Sequence, residues 1–276
     1  MAGTRFAYVR KFELPDPLLP GTFILLRLDG HSFHRFSDTH GFSKPNDSRA
    51  LELMDHAARS LMEEYSDIVL GFGESDEYSF LLRKTATLYN RRRSKITSTL
   101  CSLFTALYVM HWPAYFPDVP LRYAPSFDAR IVLYPSVREI RDYFSWRQAD
   151  THINNLYNTA FWALVQQGGK TTKEAHETLR GTVSSQKHEI LFSQFGINYN
   201  ALPSQFRKGS VLVWEKTSIP YNPSNCSASQ VLDGENETDA NDQEGQEKGA
   251  STRITLLHCD IIGDEFWNRR PYILKG

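Results

Sequence analysis

Two acidic segments hold the residue types most capable of chemistry: Arg27-Leu28-Asp29-Gly30 at the end of one apolar run, and Ser75-Asp76-Glu77 between two others. Two carboxylates brought together without a cation repel each other. A pair of divalent ions about 3.5–4 Å apart removes that repulsion, activates an attacking hydroxyl and neutralises a triphosphate leaving group. Asp29 and Asp76 therefore read as a metal site for nucleotidyl transfer. Asp and Gly are also common turn formers, so spacing alone equally allows two strand-end turns.

For the two aspartates to meet, their flanks must be neighbouring strands. Phe23-Ile24-Leu25-Leu26 and Asp67 to Phe72 read as buried strands and Tyr78 to Leu82 as a third, with Gly73-Glu74-Ser75-Asp76 as a hairpin turn. Adjacent strands lie ~4.8 Å apart, so a first strand beside that hairpin brings the carboxylates within reach of shared ions. Asp47-Ser48 caps a helix with Leu51, Met54, Ala58, Leu61 and Met62 at helical spacing. A second helix runs from about Arg92 to Trp112, and Phe127 to Tyr134 is a fourth strand. The order β-α-β-β-α-β specifies an α+β fold, a polymerase-palm-like split βαβ antiparallel sheet with helices packed on one face, over residues 1–135. Residues 136–276 read as mainly helical, with helices over Val137 to Trp146, Gln148 to Gln167 and Thr172 to Leu179. A stop falls at Gly168-Gly169, and a small hairpin joins Lys208 to Trp214 with Ile254 to Leu257.

The formal net charge of −1 hides an uneven distribution. Residues 217–252 hold one Lys against seven acids and read as a mobile acidic insertion. Removing its net −6 leaves +5 for the remainder, compatible with a modest RNA-binding surface or with a merely well-solvated one. The N-terminus lacks a signal-peptide core, and no window approaches the ~20 apolar residues that span a membrane. A cytoplasmic location is expected, with the nucleus as a second. Cys101, Cys226 and Cys259 are too scattered for a disulfide framework or a zinc site.

His152, Asn154, Asn155 and Asn158 fall on one helix, where i and i+3 share a face, so His152 and Asn155 can act together. A satisfied buried hydrogen-bond network explains such a group as well as a ligand does. His258-Cys259-Asp260 is excluded as a triad, because adjacent strand residues point to opposite faces.

Several long blocks occur in order: Asp29-Gly30-His31-Ser32-Phe33-His34-Arg35-Phe36, Lys44-Pro45-Asn46-Asp47, Glu74-Ser75-Asp76-Glu77-Tyr78-Ser79-Phe80 and Trp146-Arg147-Gln148-Ala149-Asp150-Thr151-His152-Ile153-Asn154-Asn155-Leu156-Tyr157-Asn158. Later segments include Lys187-His188-Glu189-Ile190-Leu191-Phe192 and His258-Cys259-Asp260-Ile261-Ile262-Gly263-Asp264. Together they resemble the eukaryotic tRNA-histidine guanylyltransferase family. The resemblance runs from the N-terminus to about Trp267, apart from the acidic insertion.

It implies a palm enzyme working in the reverse direction, one that places a guanylate before the first nucleotide of tRNA-His, the tRNA with a GUG anticodon. A 5′-monophosphate has no good leaving group. The family therefore adenylylates it with ATP, lets the 3′-hydroxyl of GTP displace AMP, and then removes pyrophosphate. Two Mg²⁺ ions, ATP and GTP as substrates, and a homotetramer built from two dimers are implied too, with no membrane partner. Carried over by position, Asp29 and Asp76 are the catalytic metal carboxylates, with the carbonyl of Gly30 as a further ligand. The stretch Gly30, His31, Ser32, Phe33 and His34 wraps triphosphate oxygens with backbone N–H groups, and Ser75 donates nearby. Lys44, Arg92 and Lys95 are phosphate contacts, although Arg92 and Lys95, at a helix start, equally suit an exposed basic turn. His152, Asn155, Lys187 and Lys208 contact tRNA. Two other classes stay open: a tRNA-binding protein without the chemistry, and a palm enzyme of different output, such as a 5′-end repair polymerase.

Overall fold

Six strands form one antiparallel sheet in the order β4-β1-β3-β2-β5-β6: β1 (Phe23–Gly30), β2 (Ile68–Glu74), β3 (Glu77–Leu82), β4 (Phe127–Tyr134), β5 (Ser210–Thr217) and β6 (Ser251–Leu257). The computed structural model describes residues 4–217 and 251–275, so the acidic insertion, apart from its ends, lies outside the described residues. Strands β1 to β4, with crossovers through α2 (Ser48–Glu64) and α3 (Arg93–Tyr115), make the expected split βαβ sheet. A short α1 (Phe33–Thr39), not foreseen from the sequence, follows β1 directly.

Side-chain alternation decides what each face buries. Ile24, Leu26 and Leu28 of β1 point into one core with Leu53 and Leu61 of α2 and Leu100 and Phe104 of α3. Phe23 and Leu25 of β1 and Leu81 of β3 point the other way. There they meet Ile140 and Phe144 of α4 (Val137–Gln166) and Trp267 of α8 (Asp264–Arg269). The expected helices on one face are therefore joined by a second layer. Continuous apolar runs such as Phe23-Ile24-Leu25-Leu26 give a strand two apolar faces, and the second must also be covered.

Two further differences shape the site. The stretch read as two helices over Val137 to Gln167 is one helix of 30 residues, opened by a capping box of Ser136 and Glu139. Neither Gly nor Pro interrupts it near Arg147. Its later turns leave the sheet and build a satellite core with α5 (Thr172–Leu179) and α6 (Ser184–Phe195), through Leu156, Ala160, Leu164, Ala175, Leu179 and Leu191. The small hairpin assigned to the helical part instead extends the palm sheet, β5 pairing with β2 from Leu70↔Val213 to Gly73↔Ser210. An uncovered edge on β2 would leave backbone groups unpaired beside buried side chains. Buried Gln148 locks this extension to α4. Its Nε2 donates to the carbonyls of Lys208 and Cys259 at 2.8 and 2.9 Å, and its Oε1 accepts from Ile261 N at 2.8 Å. Among the described residues no helix is long and apolar enough to cross a membrane.

Candidate active site

The hairpin tip lies one residue later than the sequence suggested. Glu74 pairs with Glu77, and only Ser75 and Asp76 form the turn, with Ser75 in the left-handed region at φ 51°. Strand β1 lies beside this hairpin with Asp29 opposite Glu77, and Gly30 N donates to the Asp76 carbonyl at 3.0 Å. That bond brings Asp29, Gly30 and Asp76 together at one end of the sheet. Gly30 has to be glycine here. A Cβ at this position would stand 2.4 Å from Phe33 Cδ2 and 2.8 Å from Asp76 Oδ2.

The registers line up four acids across the strands, Asp128–Asp29–Glu77–Glu74, and directly opposed residues share a face. Arg130 reaches Asp128 at 3.1 Å, while Arg147 of α4 takes Glu74 at 2.5 Å and Glu77 at 2.8 Å. The Arg147 Nε to Glu77 approach is an ion pair by distance, but its angle falls short of a hydrogen bond. Arg27 stands 3.7 Å from Glu77. Among the described residues Asp29 is the member of the row that has no cationic partner within ion-pair distance. Burial pushes Glu77 up to about 7, against the opposing pull of Arg147 and Arg27, with Glu74 and Asp29 adding to the rise. Burial also raises Asp76. A hydrogen bond from Ser75 Oγ at 3.0 Å opposes that rise, Asp29 reinforces it and His34 eases it. The charge of Asp29 thus bears on both Asp76 and Glu77, and a divalent cation would reverse the sign of that environment.

No group of three or more His, Cys, Asp and Glu side chains is arranged as a metal cluster among the described residues. The protein donors on offer are two carboxylates and the Gly30 carbonyl. Hard oxygens in small number suit Mg²⁺, which keeps waters and takes the rest of its ligands from substrate phosphates.

Of the residues expected to hold phosphate, His31, Ser32 and His34 are exposed beside Gly30. Ser32, at φ 56°, turns the chain into α1 without a side-chain cap, so the first-turn N–H groups are open to a ligand. The Phe33 side chain is core, packed against Phe36, Phe127 and Tyr108 with centroids 4.9, 5.0 and 6.0 Å away, which leaves its backbone for any phosphate contact. Lys44 lies beyond α1, bonded to Asp38 at 3.0 Å and Ser37 at 3.1 Å.

Arg92 and Lys95 sit at the start of α3 rather than beside the aspartate pair. Lys95 lies six and Arg92 nine residues before Cys101, whose Sγ donates to the Phe127 carbonyl opposite Gly30, about 9 and 14 Å along the helix. The anion at that helix start is internal. Asp16 accepts from Ser94 N at 2.6 Å and pairs with Arg92 at 3.4 Å, and these hydrogen bonds hold its carboxyl below the usual range.

The tRNA candidates gather around α4. Buried Asn155 donates to Tyr199 OH at 3.0 Å and accepts from Asn46 at 2.9 Å. The half-exposed ring of His152 lies 5.4 Å from Tyr199 and 6.4 Å from His188 of α6; burial, His188 and Arg207 depress its pKa. Lys187, next to His188, donates to the Thr182 carbonyl at 2.7 Å, and Lys208 ends α7 (Ser204–Lys208), which also packs on α4. The network reading and the ligand reading therefore divide the cluster: Asn155 is spent internally, whereas His152 keeps an open side. Asn46 ties this cluster to the Lys44 loop, and Lys44 lies 5.8 Å from the ring of Trp162, also on α4.

The family model described as tRNAHis guanylyltransferase matches residues 6–135, and that of the Thg1 C terminal domain matches 138–263. The chain belongs to the tRNA(His) guanylyltransferase family. It is 50% identical to the tRNA(His) guanylyltransferase of Neurospora crassa over 100% of this chain and 97% of that protein. It is likewise 50% identical to the probable tRNA(His) guanylyltransferase of Mus musculus over 99% and 89%. The crystal structure of the Saccharomyces cerevisiae enzyme superimposes with a TM-score of 0.73 at 50% identity, covering 76% of this chain and 93% of that one. A bacterial Thg1-like protein in complex with ATP shares the fold, with a TM-score of 0.69 at 21% identity over 97% and 95%.

Membership in this nucleotidyltransferase family directs attention to residues given no role from sequence. Arg147 stands inside a family block, yet its task depends on which residues flank the turn. With the turn set at Gly73 to Asp76, Glu74 and Glu77 do not oppose each other. Moving the tip by one residue puts both on the α4 face, where one arginine meets them.

Proposed function

We propose that this chain adds a guanylate to the 5′ end of tRNA-His, in three steps: adenylylation of the 5′-phosphate by ATP, attack by the 3′-hydroxyl of GTP, and pyrophosphate removal. The observation that carries this reading is the pair Asp29 and Asp76, drawn together by the Gly30 to Asp76 backbone bond, with Asp29 lacking a cationic partner among the described residues in a row of otherwise paired acids. Asp29, Asp76 and the Gly30 carbonyl would hold Mg²⁺, which would supply charge neutralisation at the transferring phosphorus and activation of the attacking hydroxyl. The open N–H groups from Ser32 to His34 and the side chains of Ser75 and Lys44 orient the triphosphate. His152 with its neighbours on α6 and α7 offers a polar, partly basic surface to tRNA, and the Asn46–Asn155 bond joins that surface to the nucleotide loop. Arg92 and Lys95 contact phosphate from the start of α3.

A homotetramer is part of this reading. The N-terminal segment exposes Phe6, Tyr8, Val9, Phe12 and Leu14 and buries none of the residues of its short 3₁₀ turn, which supports self-association.

The test is incorporation of labelled GTP at the 5′ end of monophosphorylated tRNA-His with Mg²⁺ and ATP, beside Asp76→Ala and a tRNA lacking the GUG anticodon. ATP-dependent addition lost in both controls supports the proposal. Addition to a 5′-truncated tRNA but not to tRNA-His assigns repair instead, and no addition in any lane removes the enzymatic reading.

A further inference from the structure

We propose that Arg147 is a positioning residue for the aspartate pair, acting through the two strands of the hairpin that carries Asp76. The proposal rests on the metal-site reading above and adds a residue that reading does not use. Asp76 sits in a turn of two residues, so its place is set by the two strand ends that enter the turn. Both strand ends are acids, Glu74 and Glu77, and a single guanidinium holds them, at 2.5 and 2.8 Å. The same Arg147 takes Asp150 at 3.0 Å, and Thr151, one turn on, donates to the second oxygen of Glu74. Arg147 is 4% exposed and its guanidinium lies 4.3 Å from the ring of Trp146.

Without that cation, Glu74, Glu77 and Asp150 would face one another beside Asp29, and among the described residues the more distant Arg27 would be left to offset them. Their repulsion would splay the strand ends and move the tip. The clamp also sets direction, because α4 carries His152 and Asn155 five and eight residues further along one rigid helix, about 8 and 12 Å down its axis. One helix thereby fixes the hairpin tip relative to the surface proposed for tRNA.

The test uses the full chain with Arg147→Lys, which keeps the charge but not the fork, and Arg147→Met, which keeps an apolar stem without the charge. Binding of Mn²⁺ as the sole ligand is followed by electron paramagnetic resonance. The Mg²⁺ concentration for half-maximal guanylate addition is measured in parallel, with thermal unfolding as the check on the fold. Arg147→Met should weaken Mn²⁺ binding at least tenfold and Arg147→Lys several-fold, the Mg²⁺ requirement rising in step while Arg147→Lys keeps its melting temperature. Unchanged Mn²⁺ binding and Mg²⁺ requirement in the folded variants would overturn the proposal. Should neither variant fold, Glu74→Ala opens the same clamp from the strand side. Several-fold weaker Mn²⁺ binding then supports positioning, and unchanged binding rejects it. A parent chain that binds Mn²⁺ through the clamp yet adds no guanylate defeats the proposed function and leaves the clamp standing.

Discussion

Gly30→Ala adds one methyl group where the structure has no room for it. The new Cβ would lie 2.4 Å from Phe33 and 2.8 Å from the Asp76 carboxylate, both well inside van der Waals contact. Phe33 cannot yield easily, because Phe36, Phe127 and Tyr108 pack around it. The Asp76 carboxylate, at a hairpin tip, is the part that moves. Overpacking of this kind costs about 1–3 kcal/mol, which for a chain of this size lowers the melting temperature by roughly 2–5 °C. A displacement of about 1 Å at a reacting centre costs on the order of 10²-fold in rate. The variant should therefore stay folded at 25 °C while guanylate addition falls about a hundredfold, partly recovered by raising Mg²⁺. Thermal unfolding, Mn²⁺ binding and labelled-GTP incorporation on the same preparation separate the two effects. Parental activity at parental Mg²⁺ would show that Asp76 does not need its present place, and the metal reading would fail with it.

Two further outcomes follow from buried polar groups. Asp55 accepts from Tyr78 OH at 3.1 Å and Ser210 Oγ at 2.8 Å, and burial nevertheless pushes its carboxyl up to about 6. Its folded-state pKa exceeds the unfolded value, so its favourable contribution is complete below about pH 4 and is lost as pH rises through about 6, some 3 kcal/mol in all. Asp55→Asn cannot ionise, so its melting temperature relative to the parent should climb between pH 4 and 8, and a pH-independent difference would refute this account. Asn155→Leu strands Asn46 Nδ2, at about 1–3 kcal/mol for the group left unsatisfied, and leaves the Tyr199 hydroxyl with only its 3.4 Å bond to the His152 carbonyl. It should lower the melting temperature and weaken tRNA binding in a filter assay while leaving Mn²⁺ affinity intact; parental tRNA binding would separate this network from the substrate.

The split βαβ palm is legible in the sequence, because the short continuous apolar runs of the strands, the Asp47 cap and the apolar periodicity of α2 and α3 are local signals that agree with one another. The meeting of Asp29 and Asp76 was conditional on the first strand lying beside the hairpin, and the β1–β3 register with the Gly30 to Asp76 backbone bond meets that condition. The tertiary structure alone decided what lies on the second face. Ile140 and Phe144 of α4 reach the sheet only because the helix passes through Arg147 unbroken, and nothing local distinguishes one helix of 30 residues from two in line. The β5–β6 hairpin is joined to β2 across more than a hundred residues of chain, and its halves flank the acidic insertion, so no short-range pattern announces the pairing. The same holds for the charges. Glu74, Glu77 and Arg147 are ordinary surface residue types in sequence, and register turns them into a buried clamp, because a shift of one residue in a strand reverses the face of every side chain.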